Sequence, residues 1–441
     1  MKILHITPHL GGGVGRALSC LIRRAAAGGS VRHALLCLEQ PEKRQAIDAI
    51  AAAGCPVTVA PTLAEARAAI DEADIVQVEL WNHPEIPRLL CALGPTAMRL
   101  LTWCHVSGLG GPRIPPGLSG TPAAIVFTSP CSLQGGFLRA AGQQVAVVSS
   151  ASVDHMPALS ERMPRPVPDG MRIGYVGTLD FSKLHPDFVD FLAELPDKAL
   201  PVHLYGDNTN QEALEAQCRA IGRSGLLRFH GHVSDIAGAL AELDVLAYPL
   251  DPAHYGTAEN ALVEAMAMGV VPVVLDNPAE RCIVSDGETG FVVRDKDGFR
   301  AALRRLLSDP EECAAMARRA SATVRARYTA RVMEEEMNAQ YRMLMRQARA
   351  PFDFHTVFGQ TPGDWYLSFQ PTGDPHIGAP ATAEARKGSV HHFLAKFPGD
   401  PDLERWAGET LAGRLVAASF ARPKPARRAG MRPRTYLGAR P

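Results

Sequence analysis

His254-Tyr255-Gly256-Thr257-Ala258-Glu259-Asn260-Ala261-Leu262-Val263-Glu264-Ala265-Met266-Ala267-Met268-Gly269-Val270-Val271-Pro272-Val273-Val274 reads as a loop, a helix, a glycine stop and a buried strand. The start of a helix leaves backbone N–H groups without intrahelical partners and carries partial positive charge. Gly256 and Thr257, with the junction running on to Asn260, therefore offer amide donors to a diphosphate. Glu264 falls mid-helix among Ala, Leu, Val and Met. A carboxylate in such surroundings is costly unless it accepts hydrogen bonds. A ribose diol would supply two; a salt bridge to an Arg within the protein would serve as well.

Outward from this stretch, short apolar strands alternate with helical segments. In the first third, strands are expected at Lys2–Thr7, Val31–Leu38, Asp74–Leu80, Met98–His105, Ala124–Thr128 and Val145–Ser149. The pattern restarts at Arg172–Val176, Val202–Tyr205, Leu226–His230, Val245–Tyr248, Val270–Leu275 and Gly290–Val293. Alternation with runs buried on both faces predicts parallel sheets covered by helices. The expected class is α/β, with two tandem doubly wound, Rossmann-like units. Such sheets bind ligands beyond the carboxyl ends of their strands, so two facing units would share a cleft. Between them, residues 151–170 hold Pro157, Pro164, Pro166 and Pro168 and lose periodicity, which predicts a linker.

A glycine loop, His9-Leu10-Gly11-Gly12-Gly13-Val14-Gly15-Arg16, follows the first strand and opens a helix. Gly12 and Gly13 let backbone approach a ligand and aim amides at negative oxygens. The spacing does not fit G-x-G-x-x-G. Glu39, at the end of the second strand, sits where a dinucleotide site would want an acid. That reading leaves the second unit unexplained.

Glu264-Ala265-Met266-Ala267-Met268-Gly269-Val270-Val271-Pro272-Val273-Val274, followed by Glu280 and Asp286-Gly287-Glu288-Thr289-Gly290-Phe291-Val292-Val293, resembles the family 4 retaining glycosyltransferases of the two-Rossmann GT-B fold. The resemblance covers roughly residues 1–345. It implies that Glu264 binds the donor ribose. The family usually carries a second Glu, contacting the donor sugar, where this chain has Gly256. Here Glu259 stands three residues later, where the family usually has Gly. Glu259 is thus a candidate to take over that contact, or a complement to the helix dipole. Gly177-Thr178-Leu179-Asp180-Phe181-Ser182-Lys183 resembles the family's phosphate-binding element, with Lys183 at the place of its Lys. Thr178 stands near the place of the family's Arg, so Arg172 or Arg281 would have to supply that charge. His105 resembles the family's His near donor sugar and acceptor. Trp81 could stack on a sugar or belong to the core; His9, His185 and His254 are weaker candidates.

The resemblance implies transfer of a sugar from a nucleotide-sugar donor with retention. It also implies a front-face reaction in which the leaving phosphate helps deprotonate the acceptor. The expected catalytic set is Lys183, His105 and Glu259. The expected donor set is Glu264, Gly256, Thr257, Asn260, Thr178 and Gly177, with Gly12 and Gly13 facing the acceptor. No cofactor or metal is expected beyond the nucleotide-sugar co-substrate. The acceptor would be a glycan, a lipid-linked sugar or a small molecule. An epimerase or phosphorylase on the same architecture, or a non-catalytic binding protein, are the alternatives. The expected layout is 1–150 for the acceptor unit, 171–330 for the nucleotide-sugar unit and 331–350 for a helix returning to the first. Residues 351–441 would form a partly disordered extension, basic and Pro-rich from Arg422 to Pro441.

Composition narrows the remaining classes. The chain has 46 Lys plus Arg against 46 Asp plus Glu, so it lacks the broad basic field of nucleic-acid binders. Nine Cys without a C-x-x-C pair fit reduced thiols, and the 15 His hold no H-E-x-x-H motif. Lys2–Thr7 reads as a strand rather than a signal peptide, and no apolar run reaches the ~18 residues of a membrane span. A cytoplasmic protein is expected, with peripheral contact to the inner membrane face open.

Overall fold

The computed structural model describes residues 1–29, 31–41, 44–135, 144–159, 170–196, 201–373 and 388–409. The first lobe carries parallel strands β1 (Lys2–Thr7), β2 (Arg32–Cys37), β3 (Val57–Val59) and β4 (Ile75–Leu80). After β5 (Thr96–Met98) come β6 (Leu100–Cys104), β7 (Ala124–Phe127) and β8 (Val145–Val147). Their order is β3-β2-β1-β4-β6-β7-β8. The second lobe comprises β9 (Ile173–Val176), β10 (Val202–Tyr205), β11 (Leu227–Phe229), β12 (Val245–Tyr248), β13 (Val271–Leu275) and β14 (Phe291–Val293). Its order, β11-β10-β9-β12-β13-β14, repeats that of the first sheet up to β7, without a counterpart of β8. Both sheets reverse direction next to their first strand, between β1 and β4 and between β9 and β12. Those switch points are where a doubly wound sheet opens a ligand crevice.

Two differences from the sequence reading lie in the first lobe. The expected strand Met98–His105 breaks at Arg99. β5 leaves the sheet to pair antiparallel with β15 (Ala350–Phe352), while β6 enters it. The three-residue β3 carries too little pattern to be read from sequence.

Helix α1 (Gly12–Gly28) follows β1 and buries Leu18, Leu21, Ile22 and Ala25, the i, i+3, i+4, i+7 face of a helix laid on a sheet. Gly29, in the left-handed region at φ 72°, stops it. Helix α2 (Asn260–Ala267) runs from the crevice into the second core, burying Leu262, Val263, Ala265 and Met266. Helix α3 (Ala330–Leu344) starts on a Thr329 cap and buries Met333, Met337, Tyr341 and Leu344. That face packs in one cluster with Leu18 and Ile22 of α1, so the chain returns to the first lobe. The Tyr341 hydroxyl donates to buried Gln77 Oε1 at 2.6 Å.

Part of the expected linker, residues 151–156, packs into a core. Ala151, Val153 and Met156 are buried in the second lobe's core, where Val153 N–H donates to the Tyr328 carbonyl at 2.9 Å. Three apolar side chains among polar ones carry no period that would reveal this. Residues 160–169 lie outside the described residues.

The extension is also more than an appendage. Phe354, Phe358, Trp365, Tyr366, Phe369, Phe393 and Trp406 share a hydrophobic cluster with Leu4, Ile6, Val76 and Ile125 of the first sheet. Three of its helices, among them α4 (Val390–Lys396), span four to seven residues, too short to display a helical repeat. At Gly388 (φ +84°) the backbone comes so close to Asn82 that a Cβ would collide with the Asn82 amide. Asn82 Nδ2 donates to the Gly388 carbonyl at 3.1 Å. The stretch Arg422–Pro441 lies outside the described residues. Among the described residues no helix is long and apolar enough to cross a membrane.

Phe393 is fully buried. Phe393→Ala should therefore lower unfolding free energy by about 3–5 kcal/mol, read as a shifted denaturant midpoint. An unchanged midpoint would separate α4 from the first lobe's core.

Candidate functional site

The carboxyl end of β9 leads into Gly177–Lys183, and β12 leads into the loop 249–259. The two connections are stitched together: Asp251 N–H donates to the Lys183 carbonyl at 2.8 Å and His185 N–H to the Pro249 carbonyl at 3.1 Å. This sets Lys183 against Glu259, with Nζ–Oε2 at 3.0 Å. Tyr248 O–H donates to the same oxygen at 2.8 Å. Burial would raise the Glu259 pKa, but Lys183, His254 and the Tyr248 hydrogen bond outweigh it and keep the carboxyl ionised. Burial would lower Lys183, and Glu259 and Tyr255 more than reverse that. Next to the pair, His254 Nε2 meets the fully buried Glu280 at 3.2 Å, and Asn277 Nδ2 donates to Glu280 at 3.1 Å. Burial would lower the His254 pKa; Glu280, by hydrogen bond and charge, and Glu259, by charge, raise it.

Gly256 and Glu259 prove to be spatially coupled. A Cβ at 256 would collide with Glu259 Oε1. The carboxylate three residues on thus folds back over the place from which a side chain at 256 would project. Glu259 reaches it by adopting φ 39°, ψ 57°, a left-handed conformation that glycine takes freely and Glu only at a cost of roughly 1–2 kcal/mol. The sequence reading counted Gly256 and Thr257 among its free amides, but α2 begins at Asn260. Gly256 N–H is taken by His254 Nδ1 at 3.0 Å. The Thr257 hydroxyl is buried against Thr128 Oγ1 of the first lobe at 3.0 Å.

The first lobe closes the other side. Ser107 N–H donates to the Tyr255 carbonyl at 3.2 Å. In the glycine loop Gly12 has φ +62°, and a Cβ on Gly13 would come within 2.9 Å of Asn260 Nδ2. The amino ends of α1 and α2 therefore face each other. One turn inside, Arg16 of α1 forms an ion pair with buried Glu264 of α2, and His155 Nε2 lies 3.3 Å from the same carboxylate. The salt bridge that sequence offered as the alternative to a ribose is present, but it spans the two lobes. Of the two arginines expected to supply charge, Arg172 precedes β9 at its amino end, away from the crevice, and pairs with Glu242. Arg281 pairs with Asp276 at 3.0 Å. Gly177 turns at φ +149°, and the neighbouring Thr178 is exposed, with its carbonyl accepting from Tyr175 O–H at 3.0 Å.

His105 directly follows β6 and meets Glu79 Oε2 at 2.7 Å. Glu79 is fully buried and also approached by His5 Nδ1 at 3.3 Å and Gln77 Nε2 at 2.8 Å. Burial would raise its pKa, but the hydrogen bonds from His105 and His5 prevail and hold it ionised. A carboxylate only accepts, so the His105 proton facing it is on Nε2, which leaves Nδ1 for other partners. Sequence reasoning passed over Glu79. Its signal was there: Gln77 and Glu79 interrupt alternate positions of a strand expected to be buried on both faces.

Residues 170–309 match the family model described as Glycosyl transferases group 1. Solved structures extend the likeness to both lobes. HepE of Anabaena, in complex with UDP and glucose, superposes with a TM-score of 0.61 at 16% identity, over 78% of this chain and 100% of its own. A glycosyltransferase from Rickettsia africae gives 0.65 at 13% identity, over 79% of this chain and 99% of its own. The fold is GT-B. Among relatives by sequence, the putative glycosyltransferase EpsD of Bacillus subtilis is 26% identical over 38% of this chain and 44% of its own. The phosphatidyl-myo-inositol mannosyltransferase of Mycolicibacterium smegmatis is 36% identical over 30% of this chain and 34% of its own. The chain thus spans less than half the length of these curated relatives.

In this GT-B chain the carboxyl edge of the first sheet meets the C-terminal segment. Trp81, half-buried after β4, has His9, His83 and His105 set edge-on around it at 5.3, 6.0 and 6.2 Å between centroids. Glu39, after β2, lies 3.4 Å from His83 Nε2 and pairs with Lys396 of α4. It is thereby engaged within the protein rather than left for a dinucleotide ribose. Glu39, His83 and His392 bring their ligand atoms within 4.8 Å of one another, a grouping invisible to sequence spacing. Yet His83 Nδ1 accepts Glu85 N–H at 3.3 Å and His392 Nδ1 accepts Gly388 N–H at 2.9 Å. Each imidazole then carries its proton on Nε2 and offers a donor, not the lone pair a metal needs. The cluster acts as a tie between α4 and the sheet.

Two measurements probe this geometry. Gly256→Ala should destabilise the wild-type background by about 1–3 kcal/mol and cost clearly less when Glu259 is already Ala. Equal costs in both backgrounds would uncouple the two residues. Burial would raise the Glu39 pKa, but hydrogen bonds from His83 and Lys396 hold it down at about 2. Its stabilisation is complete above the unfolded value of 4.5 and disappears as pH falls to about 2. Glu39→Gln should flatten that limb of the thermal-stability profile, whereas a parallel profile would deny Glu39 its role.

Proposed function

We propose that this chain is a glycosyltransferase that moves a sugar from a nucleotide-sugar donor to an acceptor hydroxyl with retention. The group 1 match over residues 170–309 supports the reaction class. The observation that carries the assignment is the Lys183–Glu259 pair at the mouth of α2, whose second turn holds Glu264. Lys183 would neutralise the leaving diphosphate, and Glu264 would accept the ribose hydroxyls. Glu259, folded over Gly256, would take the donor-sugar contact that the family resemblance assigns to the position of Gly256.

In this scheme the bond from the sugar's anomeric carbon to the phosphate oxygen breaks, and its electron pair stays on the phosphate. The acceptor oxygen attacks the same face, and its proton passes to the leaving phosphate. No protein nucleophile, metal or cofactor enters. His105, with its Nε2 proton held by Glu79, would present Nδ1 to a sugar or acceptor hydroxyl. The first lobe's loops at Gly12, Gly13 and His105 would receive the acceptor. A lipid-linked or glycan acceptor fits the names of two relatives, the mannosyltransferase above and a lipopolysaccharide core biosynthesis glycosyltransferase of Rhizobium meliloti. Such an acceptor would be met by peripheral contact at a cytoplasmic membrane face.

Lys183→Ala and Glu264→Gln should each reduce turnover of the accepted UDP-, GDP- or ADP-sugar by at least about 100-fold, with unchanged circular dichroism. Wild-type turnover in both variants would defeat the assignment.

A further inference from the structure

We propose that Arg16 is the second cation of the donor site, supplied from the opposite lobe, and that Glu264 holds it until a donor arrives. The inference rests on the glycosyltransferase reading and deepens it. A leaving diphosphate gains negative charge as the bond to the sugar breaks, and that charge is stabilised by fixed cations and aimed donors. The second lobe brings Lys183 to the mouth of α2, and Thr178 carries no charge. Arg172 and Arg281 are engaged elsewhere by Glu242 and Asp276.

Arg16 is the cation that reaches α2 from the other side. It sits one turn inside α1, whose amino end meets that of α2 at Gly13 and Asn260. Its guanidinium pairs with Glu264, which is 4% exposed, while its own side chain keeps 44% of its surface exposed. A planar guanidinium suits carboxylate and phosphate alike, so exchange of one for the other costs little. When a ribose diol hydrogen-bonds Glu264, the carboxylate no longer needs the guanidinium. Asn260 lies four residues before Glu264, about 6 Å along the helix axis, which a swing of the Arg side chain covers. Arg16 would then contact the diphosphate from the first lobe and Lys183 from the second. The bond that breaks is that between the anomeric carbon and the phosphate oxygen, and Arg16 offsets the charge left on that oxygen. Donor binding would trade an interlobe ion pair for an interlobe phosphate bridge, keeping the cleft closed in both states.

The test titrates UDP, GDP and ADP, with the matching nucleosides, into the wild-type chain, Arg16→Ala, Arg16→Lys and Lys183→Ala by calorimetry. Arg16→Ala should weaken the preferred diphosphate about tenfold and leave its nucleoside bound at least as tightly as in wild type. Turnover should fall about 100-fold, with partial recovery in Arg16→Lys. If Arg16→Ala binds the diphosphate and turns over like wild type while Lys183→Ala fails in both, Arg16 is only a structural tie and the proposal is wrong. An equal loss of nucleoside and diphosphate binding in Arg16→Ala also overturns it, since the ion pair would then serve only to position Glu264. If the wild-type chain binds none of the three diphosphates, the glycosyltransferase reading itself falls, and the role of Arg16 with it.

Discussion

The cleft is organised by one electrostatic constraint: carboxylates removed from water must be answered by cations or donors. Glu79, Glu259, Glu264 and Glu280 are 0, 3, 4 and 0% exposed. An unpaired carboxylate at such depth would cost several kcal/mol or take up a proton. Each is answered instead: Glu79 by His105 and His5, Glu259 by Lys183 and Tyr248, Glu264 by Arg16 and His155, Glu280 by His254 and Asn277. The partners come from different strand ends, and for Glu264 Arg16 comes from the facing lobe. The charges therefore help fix the relative placement of these loops, alongside Leu179, Leu184 and Leu250, which are fully buried in the second lobe's core. They also hold a fixed set of donors and cations at the carboxyl ends of the strands.

The pairing of Gly256 with Glu259 illustrates how backbone geometry and charge substitute for each other. A carboxylate can reach one point in space either from position 256 directly or from position 259 by turning back. The second route requires a left-handed residue and an empty side chain at 256. The chain has both, Glu259 at φ 39° and a glycine whose Cβ would meet the carboxylate. Lys183 and Tyr248 then stabilise the strained turn by satisfying the oxygen it delivers.

The C-terminal segment enlarges the first lobe. Its aromatic side chains join the core beneath the sheet, and its helix α4 brings Lys396 and His392 to the carboxyl edge beside Glu39 and His83. The same segment thus contributes burial below and a polar rim above. The rim borders Trp81 and His105, so the segment helps shape the side of the cleft that belongs to the first lobe.

What the sequence determined by itself was local or periodic. Strand and helix alternation, with apolar runs buried on both faces, set the two doubly wound lobes, and the Glu264 helix with its glycine stop and following strand was legible residue by residue. Glu264 stood out as a carboxylate on an apolar helix, and Lys183 and His105 stood out through their resemblance to a family's motif. The tertiary structure alone decided who answers whom. Arg16 and Glu264 are 248 positions apart in the sequence, and Tyr341 and Gln77 264. No period or spacing encodes such contacts; the first arises where the two lobes meet, the second where α3 returns to pack on the first lobe. The fate of residues 350–373 and 388–409 was hidden for a related reason. The helices at 355–358, 362–368 and 390–396 bury their aromatics without completing a repeat, and the helix over 401–409 buries only Leu403, Trp406 and Ala407, so only the packed core reveals that they belong to the first lobe.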